Sequence, residues 1–452
     1  MKDPIYIEPL GTDAPLSVLC NNLMGLPNLA LLDGPGWGSN ILTADPFDVL
    51  TWTGTYAESQ NLGLLGSSGF EALKFMLAKY RHKNPTSTDI FLGAAIGEIA
   101  YESAYRIERI RGAKKPYDYP LMRFGLYDWA VTPNGETGEN LLIWTNTGCR
   151  PVSYIEEIRS RLLNPMTSNP AVIQKTEAHS DFSPGEYHNA VKRVLRYIED
   201  GDIYQACISR LIHGKLSAHP KTVYDQIARR TGTSHMSAYL HDGDKATISS
   251  SPEMYVVGNH KQVFSQPIKG TRPRSRDPVQ DTQLSTDLRN SDKDLAENIM
   301  IVDVLRNDLG KISVPGGVTT SKLAQLITHP AIHHLESRIE AQLRSEIEIT
   351  EVLKALFPGG SVTGAPKIRA MEIIAEIERG ARNGYCGVIA SLGFDMSVTS
   401  SIPIRTIYAH KDNFEFRVGG GIVADSAPKT EYAETCDKAA SLLLALNATE
   451  SL

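Results

Sequence analysis

The feature that most constrains the fold is the alternation of strand-like and helical stretches without a repeating strand–helix–strand unit. Short apolar, β-branched runs predict strands, and amphipathic stretches with apolar residues three to four positions apart predict helices. A regular alternation would favour a doubly wound parallel sheet, whereas this irregular one favours an α+β fold. The predicted strands are 5–7, 29–32, 141–145, 202–210, 236–240, 246–249, 387–392, 401–408 and 414–418, and the predicted helices are 70–83, 291–309, 349–356, 366–378 and 428–446.

The composition is that of a soluble globular protein. Hydrophobic residues make up 41% and charged residues 22% of 452, and the formal net charge is −6, which argues against nucleic-acid binding. No apolar segment follows the N-terminus and no uncharged apolar stretch approaches about 18 residues, so we expect neither a signal peptide nor a membrane span. The five scattered cysteines favour free thiols in a reducing cytoplasm over disulfides or a zinc site.

The chain divides into three parts by its turn-rich breaks. Residues 1–165 form an N-terminal region without obvious chemistry, 166–182 read as a connector, and 183–452 carry the candidate catalytic residues. The third part opens with a strong helix start, because Ser183 is a good N-cap and Glu186 occupies the capping-box position.

The candidate chemistry centres on Lys269. A predicted hairpin at 254–266 precedes it, so Lys269 is expected to emerge partly buried from a strand end. A lysine amine attacks only after losing its proton, and burial or a neighbouring cation such as Arg272 or Arg274 favours the neutral form. The alternative for a lone lysine is an exposed residue in a basic loop.

Two predicted helices carry acidic pairs three residues apart. Asp294 and Glu297 share one helix face, and Glu431 and Glu434 repeat the spacing on another helix. Four carboxylates from two helices form the oxygen-rich kind of site that Mg²⁺ prefers. The alternative for each pair is a solvated helix face.

Glycines mark three places where a ligand could approach the backbone. Gly270 follows Lys269 directly, and 357–367 is a glycine-rich loop that opens a helix but lacks the lysine and hydroxyl residue of a phosphate loop. Its unpaired amides could bind a small anion such as a carboxylate. Gly419 to Gly421 lie at a predicted strand end, and Arg405 is a candidate carboxylate fork. Structural turns and a surface ion pair are the alternatives.

These motifs together resemble those of the chorismate-utilising enzymes. The resemblance is strong over 183–447, loose before that, and closest to the aminodeoxychorismate synthase component I branch, since Lys269 stands where anthranilate synthases have alanine. The motifs, in chain order, are 267–271, 294–297 with 301–308, 357–367 and 419–426.

The resemblance implies a fold and a reaction. The fold is a large α+β structure, in which two antiparallel sheets pack as a β-sandwich with helices outside. The reaction converts chorismate and ammonia to 4-amino-4-deoxychorismate, the precursor of 4-aminobenzoate and folate. Lys269 would form a covalent adduct with the ring, and Glu253 would act as the general acid that protonates the leaving hydroxyl. Mg²⁺ would be the cofactor, bound by Glu297, Glu431 and Glu434, with Asp294 beside them.

The resemblance also implies which residues hold chorismate. Arg405, Tyr385, Lys438 and the glycines Gly419, Gly420 and Gly421 would hold the enolpyruvyl side chain. Gly270, Thr271, His334, Ser361 and Thr363 would line the ring. Gln205 stands where water-using relatives carry a lysine, so water is not the expected nucleophile. We expect neighbouring His333 to make a polar contact and not to bind metal.

Two departures from the family pattern concern regulation and the ammonia source. Tryptophan-binding relatives carry Leu-Leu-Glu-Ser where this chain has Leu-Leu-Asp-Gly at 31–34, so the resemblance does not extend to tryptophan binding. The chain contains no glutaminase cysteine elbow, so ammonia is expected from a separate glutaminase subunit acting on glutamine, or from solution.

Two alternative functions stay open at this stage. The first is another chorismate enzyme such as anthranilate synthase, which Lys269 argues against. The second is a non-catalytic homologue, which the complete set of Glu253, Lys269, Glu297, Glu434 and Arg405 argues against.

Overall fold

A computed structural model describes residues 5–82, 90–114, 119–164, 172–231, 234–328 and 332–451. The strands are, in chain order, β1 (Ile5–Pro9), β2 (Leu29–Asp33), β3 (Ile41–Thr43), β4 (Asp48–Trp52), β5 (Ala57–Ser59), β6 (Gly63–Gly66), β7 (Ala94–Ile99), β8 (Met122–Tyr127), β9 (Trp129–Pro133), β10 (Asn140–Thr145), β11 (Thr176–Ser180), β12 (Gln205–Lys215), β13 (Met236–Asp242), β14 (Lys245–Ser251), β15 (Met254–Asn259), β16 (Gln262–Ser265), β17 (Ile268–Pro273), β18 (Ser313–Thr328), β19 (Ile332–Leu343), β20 (Gly364–Ala365), β21 (Val388–Gly393), β22 (Ser397–Ser401), β23 (Thr406–His410), β24 (Asn413–Ile422) and β25 (Ala448–Ser451). The helices are α1 (Leu16–Leu19), α2 (Gly69–Lys79), α3 (Ala104–Ile107), α4 (Val152–Leu163), α5 (Pro184–Glu199), α6 (Pro220–Thr231), α7 (Pro278–Arg289), α8 (Asp292–Gly310), α9 (Ile349–Leu356), α10 (Lys367–Ile377) and α11 (Pro428–Leu446).

The strands form two large sheets. The first has the order β1-β10-β9-β3-β2-β13-β14-β23-β24-β12-β11-β25, with β20 paired to β12. The second has the order β17-β19-β16-β15-β22-β21-β7-β8-β4-β5-β6, with β18 paired to β19. Neighbouring strands run antiparallel, apart from the parallel pair β11 and β25. This architecture confirms the predicted α+β class and its two antiparallel sheets.

Apolar side chains from both sheets meet between them. Leu32 and Met236 of the first sheet pack in one cluster with Ile96 and Ile389 of the second. Trp37 lies in the same cluster, is only 4% exposed, and donates its indole N–H to a backbone carbonyl. Such interdigitated inner faces are the core of a β-sandwich.

Helices cover the outer faces. Buried residues of α1, α4, α6 and α11 pack on the first sheet, and α5 and α10 pack on its β12 and β24. Buried residues of α2, α8 and α9 pack with the second sheet. No helix in the described ranges is both long and apolar enough to cross a membrane.

Several predicted elements agree closely with the structure. The helix α11 has the predicted bounds 428–446, and β15 with β16 forms the predicted hairpin. The helix α5 begins at the predicted capping box, in which the Ser183 hydroxyl accepts from the Glu186 amide and the Glu186 carboxylate accepts from the Ser183 amide. Local sequence signals sufficed at these three places.

Other predicted elements are wrong or incomplete. The predicted strand 401–408 is two strands in different sheets, since β22 ends at Ser401 in the second sheet and β23 begins at Thr406 in the first. The strand predicted from 202 begins only at Gln205, and α2 ends at Lys79, with the predicted end at 83 outside the described residues. The long strands β18 and β19 and the helices α4, α6 and α7 were not predicted.

The predicted division of the chain stays a prediction. Part of the connector, 166–171, lies outside the described residues, while 176–180 forms β11. Both sheets take strands from the N-terminal region and from the region after 183.

Candidate active site

Lys269 is the second residue of β17 and is half-buried, as predicted. Its Nζ donates a hydrogen bond of 3.2 Å to the backbone carbonyl of Ser361, in the loop before α10. Gly270 lies in a β-bulge with φ of +71°, and a Cβ there would lie 2.9 Å from the Asp294 carboxylate. Glycine therefore lets β17 bend closely against α8 while Lys269 faces the loop.

The two arginines that follow Lys269 are held by aspartates. Arg272 pairs with Asp294 at 2.9 Å, and Arg274 pairs with Asp281 at 2.9 Å. Each of these cations is therefore directed at a carboxylate. Whether either cation acts on the Lys269 amine stays a prediction.

Glu253 and Lys269 meet at Ser361. The Ser361 hydroxyl donates to Glu253 Oε1 at 2.5 Å, while the Ser361 carbonyl accepts from Lys269. Glu253 is 8% exposed, and burial raises the pKa of its carboxyl although Lys269, Ser361, Lys438 and Arg405 oppose the rise. A carboxyl with a raised pKa beside an amine has the chemistry of a proton donor next to a nucleophile.

The loop 357–367 lines the interior and is not an exposed anion loop. Its residues from Phe357 to Ala365 are buried, and Thr363 Oγ1 donates to the Gly359 carbonyl at 2.9 Å. The short strand β20 then pairs with Gln205 and Ala206, so the loop is fixed to the first sheet before α10 begins. The expectation of freely exposed amides is therefore wrong, because tertiary contacts bury them.

Three glutamates, one on α8 and two on α11, lie near one another beside β24. Burial raises the pKa of Glu297, and the charges of Asp294 and Glu431 raise it further, against the effects of Lys269 and Lys293. Burial likewise raises the pKa of Glu431, and Glu434 adds to that rise. A Cβ on Gly420 would lie 3.2 Å from Glu431 Oε2 and 3.7 Å from Glu434 Oε1, so glycine leaves room for both.

These acidic residues have the chemistry of a magnesium site, but their side chains do not converge on a single position. Carboxylate oxygens are the ligands that Mg²⁺ prefers, and the raised pKa values of Glu297 and Glu431 mean that a cation between them would favour their ionised forms. Within the described ranges, no three Asp, Glu, His or Cys side chains are gathered tightly enough to hold a metal. Glu434 pairs with Lys438 at 2.7 Å, and Asp294 is committed to Arg272. The chemistry of Glu297, Glu431 and Glu434 therefore fits Mg²⁺ better than their present spacing does.

Residues predicted to hold the substrate side chain come from four places: β24, α11, the connection between β22 and β23, and the segment before β21. Arg405 lies in that connection with φ of +51°, is exposed, and forms no ion pair with any described residue. Lys438 Nζ donates to the Gly419 carbonyl at 2.8 Å. The glycines Gly419 to Gly421 lie at the C-terminal end of β24, which ends at Ile422, and they pair with β12. Tyr385 is 7% exposed.

The other residues predicted to contact the ring differ in burial and in the contacts that they make. Thr271 is exposed and lies opposite buried His334 in the β17–β19 pair. The Thr363 hydroxyl is used inside its own loop. His333 makes the predicted polar contacts, to Thr328 at 2.9 Å and Asp281 at 3.1 Å.

The structure adds a thiol that sequence reasoning missed. Cys207 lies on the same face of β12 as Gln205, and its Sγ lies 3.5 Å from the Ser361 carbonyl that also accepts from Lys269. Gln205 Nε2 lies 3.6 Å from Cys207 Sγ, and Gln205 is fully buried. The alternation of side chains along a strand could have identified Cys207 once Gln205 was singled out.

A buried ion pair stabilises the loop that carries Ser361. Arg382 donates to the carbonyls of Val362 at 3.0 Å and Cys207 at 2.7 Å, and pairs with Glu378 at 2.7 Å. Although burial opposes it, the positive charges of Arg382 and Arg417 hold the pKa of Glu378 below its usual value. This network connects β12 to the loop that carries Ser361.

Comparison with known proteins identifies relatives that all belong to one enzyme family. A family model described as chorismate binding enzyme matches residues 30–444. Aminodeoxychorismate synthase component 1 of Salmonella typhimurium is 35% identical over 416 residues, covering 89% of this chain and 88% of that protein. The Escherichia coli protein of the same name is 34% identical, with 91% and 90% covered. An anthranilate synthase component 1 of Haloarcula marismortui is 33% identical, with 84% and 78% covered.

Solved structures show the same fold. Anthranilate synthase component I from Streptococcus pneumoniae superposes with a TM-score of 0.79 at 26% identity, covering 89% of this chain and 91% of that one. The menaquinone-specific isochorismate synthase from Escherichia coli gives a TM-score of 0.75 at 18% identity, with 98% and 95% covered. The second likeness concerns the fold alone.

Proposed function

Because the chain belongs to the chorismate-binding enzyme family, we propose that it is the large component of an aminodeoxychorismate synthase. It converts chorismate and ammonia to 4-amino-4-deoxychorismate, which supplies 4-aminobenzoate for folate synthesis. The observation that carries this proposal is that Lys269 and Glu253 both contact Ser361, which brings together an amine and a carboxyl with a raised pKa.

The substrate is a dianion, and at one edge of the site a cationic side chain complements one of its two carboxylates. The unpaired guanidinium of Arg405 binds the enolpyruvyl carboxylate, with Tyr385 and the backbone of β24 beside it. Lys438 fixes that backbone through the Gly419 carbonyl. The ring then lies between Arg405 and the glutamates of α8 and α11, over Lys269.

The reaction proceeds in two displacements. Lys269 Nζ forms a bond to the ring as the allylic hydroxyl leaves, and the Glu253 proton goes to that hydroxyl, which departs as water. Ammonia then attacks the position that lost the hydroxyl, the double bonds shift back, and the electron pair of the breaking carbon–nitrogen bond returns to Lys269. Magnesium bound by Glu297, Glu431 and Glu434 would neutralise the ring carboxylate and polarise the diene.

A separate glutaminase subunit supplies the ammonia, and the reaction takes place in the cytoplasm. The name component 1 in the relatives supports a second component. The five cysteines are free thiols in the structure, which suits a reducing compartment.

The deciding experiment is product identification. The purified chain is incubated with chorismate, Mg²⁺ and an ammonium salt, and the product is identified by mass and by conversion to 4-aminobenzoate with a lyase. We expect 4-amino-4-deoxychorismate. Anthranilate or salicylate as the only product would reject the proposal.

The covalent route has its own test. Lys269→Ala should lose at least about 100-fold in turnover with ammonia, because the nucleophile is gone. Lys261→Ala, an exposed lysine in the β15–β16 turn, is the matched control and should leave turnover unchanged. Without ammonia, the unaltered enzyme should gain the mass of chorismate less one water, and Lys269→Ala should not. An unchanged rate and product in Lys269→Ala would rule out the adduct.

Anthranilate synthesis is the second candidate. A relative of that name is 33% identical over 396 residues, close to the values for the aminodeoxychorismate synthases. Lys269 favours the first candidate, because an amine bonded to the ring carbon that anthranilate synthesis aminates leaves ammonia to attack the position that carried the hydroxyl. Formation of anthranilate by Lys269→Ala would support this role of Lys269 in directing ammonia.

A further inference from the structure

A second cavity lies between the two sheets, apart from the candidate active site. Its volume is about 1500 Å³, and it is lined by β2, β12, β13, β14, β23 and β24 of the first sheet and by β4, β7 and β8 of the second. The described residues that line it do not include Lys269, Glu253, Ser361, Glu297 or Glu434. Any ligand of this cavity is therefore distinct from the ring bound at Lys269.

Three buried acceptors line this cavity without a partner. They are Glu98 Oε1, Asn383 Oδ1 and the Tyr408 hydroxyl, which can also donate, and none has a partner within hydrogen-bond distance among the described residues, although the Thr247 hydroxyl lies close enough to Glu98 to lower its pKa. Tyr408 is only 7% exposed. Buried polar groups without partners are rare in native proteins, and an ordered water or a bound ion commonly satisfies them. We call these three groups the acceptor cluster.

Neighbouring contacts keep the acceptor cluster together. Tyr119 donates to Glu98 Oε2 at 3.1 Å, and its ring lies perpendicular to that of Tyr408 with centroids 6.1 Å apart. Asn383 Nδ2 donates to Glu415 Oε1 at 3.3 Å, and Glu415 lies opposite Tyr408 in the β23–β24 pair. The three groups therefore occupy one corner of the cavity.

The charges around the acceptor cluster are mainly negative. Burial raises the pKa of Glu98 to about 7, although Thr247, Tyr119 and Arg123 oppose the rise. Arg123 is itself held by Asn28 at 2.8 Å and Asp242 at 2.5 Å. Glu415 adds a second carboxylate beside Tyr119 and Tyr408. The Thr247 and Tyr119 hydroxyls therefore already donate to the Glu98 carboxyl, and Arg123, the cation that acts on it, is itself paired with Asp242.

We propose that the acceptor cluster is a binding site for a protonated amine. A primary ammonium group brings three N–H donors and one positive charge, which match the three unpartnered acceptors and the carboxylate of Glu98. A metal ion fits less well, because an amide oxygen and a phenol accompany only one carboxylate oxygen. Two sources share this chemistry: ammonium itself, which is the protonated co-substrate of the proposed reaction, and a larger organic amine.

The test measures the Glu98 titration directly. Protein labelled with ¹³C at the glutamate carboxyls is titrated by NMR in ammonium chloride and, separately, in tetramethylammonium chloride, which carries the same charge without N–H donors. The Glu98 resonance is assigned by its loss in Glu98→Gln. Bound ammonium should lower the Glu98 midpoint by at least about one pH unit relative to tetramethylammonium. Equal midpoints in the two salts would overturn the proposal.

Variants locate the binding to the cluster. Tyr408→Phe keeps the ring and removes one acceptor, and it should weaken amine binding, followed by the Glu98 shift, about tenfold. Asp244→Asn changes an exposed carboxylate at the cavity mouth and should leave binding unchanged. Equal binding in Tyr408→Phe and the unaltered protein would contradict the assigned site, provided both unfold at the same denaturant concentration.

A series of ammonium, methylammonium and benzylammonium identifies the source. Tightest binding of ammonium assigns the site to the co-substrate, and tightest binding of benzylammonium assigns it to an organic amine with an apolar body. All measurements are made without chorismate. Their outcome is therefore independent of whether the synthase reaction is confirmed.

Discussion

Removal of the Ser361 hydroxyl tests the proton-donor role of Glu253 without touching the carboxyl itself. The hydroxyl donates to Glu253 at 2.5 Å, while Lys269 binds the Ser361 backbone carbonyl, which Ser361→Ala retains. A hydrogen bond to a charged group contributes roughly 1.5–3 kcal/mol. Since one pKa unit corresponds to about 1.4 kcal/mol, its loss should move the Glu253 pKa by roughly one to two units.

The direction of that change follows from the contact. Ser361 stabilises the ionised carboxylate and so lowers the pKa of Glu253, against the larger effect of burial. Without the hydroxyl the pKa rises, and Glu253 stays protonated to higher pH. The alkaline limb of the pH–rate profile, where the acid loses its proton, should therefore move upward by roughly one to two units.

The assay is single-turnover adduct formation from chorismate without ammonia, so that the ionisation of ammonia does not enter the profile. Glu253→Gln is the control and should lack this limb altogether. Ser361→Thr restores a hydroxyl and should return the limb toward its original position. An alkaline limb that stays in place in Ser361→Ala would refute the coupling between the two residues.

Three further changes test the metal set, the core and the pH dependence of stability. Gly420→Ala places a Cβ 3.2 Å from Glu431 Oε2, so the Glu431 side chain must move. The Mg²⁺ concentration for half-maximal activity should therefore rise about tenfold. An unchanged Mg²⁺ requirement would contradict the assignment of Glu431 to the metal set. Trp37→Ala should lower the free energy of unfolding by about 3–5 kcal/mol in urea titrations, because it empties the space between the sheets; a loss below about 1 kcal/mol would contradict the packing. Glu102 has a pKa raised by burial from 4.5 to about 7, so the folded state binds its proton more tightly and stability falls as pH rises across that window. Glu102→Gln should remove up to roughly 3 kcal/mol of this fall, measured as unfolding free energies below and above the window, and an equal fall in both proteins would refute the assignment.

Local sequence signals predicted the elements whose determinants are local. The capping box at Ser183 and the apolar period of α11 lie within a few residues of the structures they specify. The motifs around Lys269 and the acidic pairs were likewise visible in short stretches, and the structure places Lys269 beside Glu253 and Glu297. Short-range patterns carry this information because capping, helical spacing and turn preferences involve neighbours along the chain.

Other features depended on partners remote in sequence. The stretch 401–408 looks like one strand, but Ser401 pairs with Met254 and Thr406 with Ser249, in different sheets. No local pattern could place Arg405 at the crossing between them. The 357–367 loop looked like an exposed anion site until its pairing with β12 buried it. Strand partners are chosen by tertiary packing, which local propensity does not encode.

The sequence by itself determined the α+β class, most helices, the nucleophile candidate and the acidic helices, because each rests on spacing along a short segment. Only the tertiary structure decided that Lys269, Glu253 and Cys207 converge on the main chain and side chain of Ser361. It alone also brought Glu98 and Tyr408 to one corner of the cavity between the sheets. Such sites are assembled from strands distant in the chain, and their geometry exists only once the two sheets have packed.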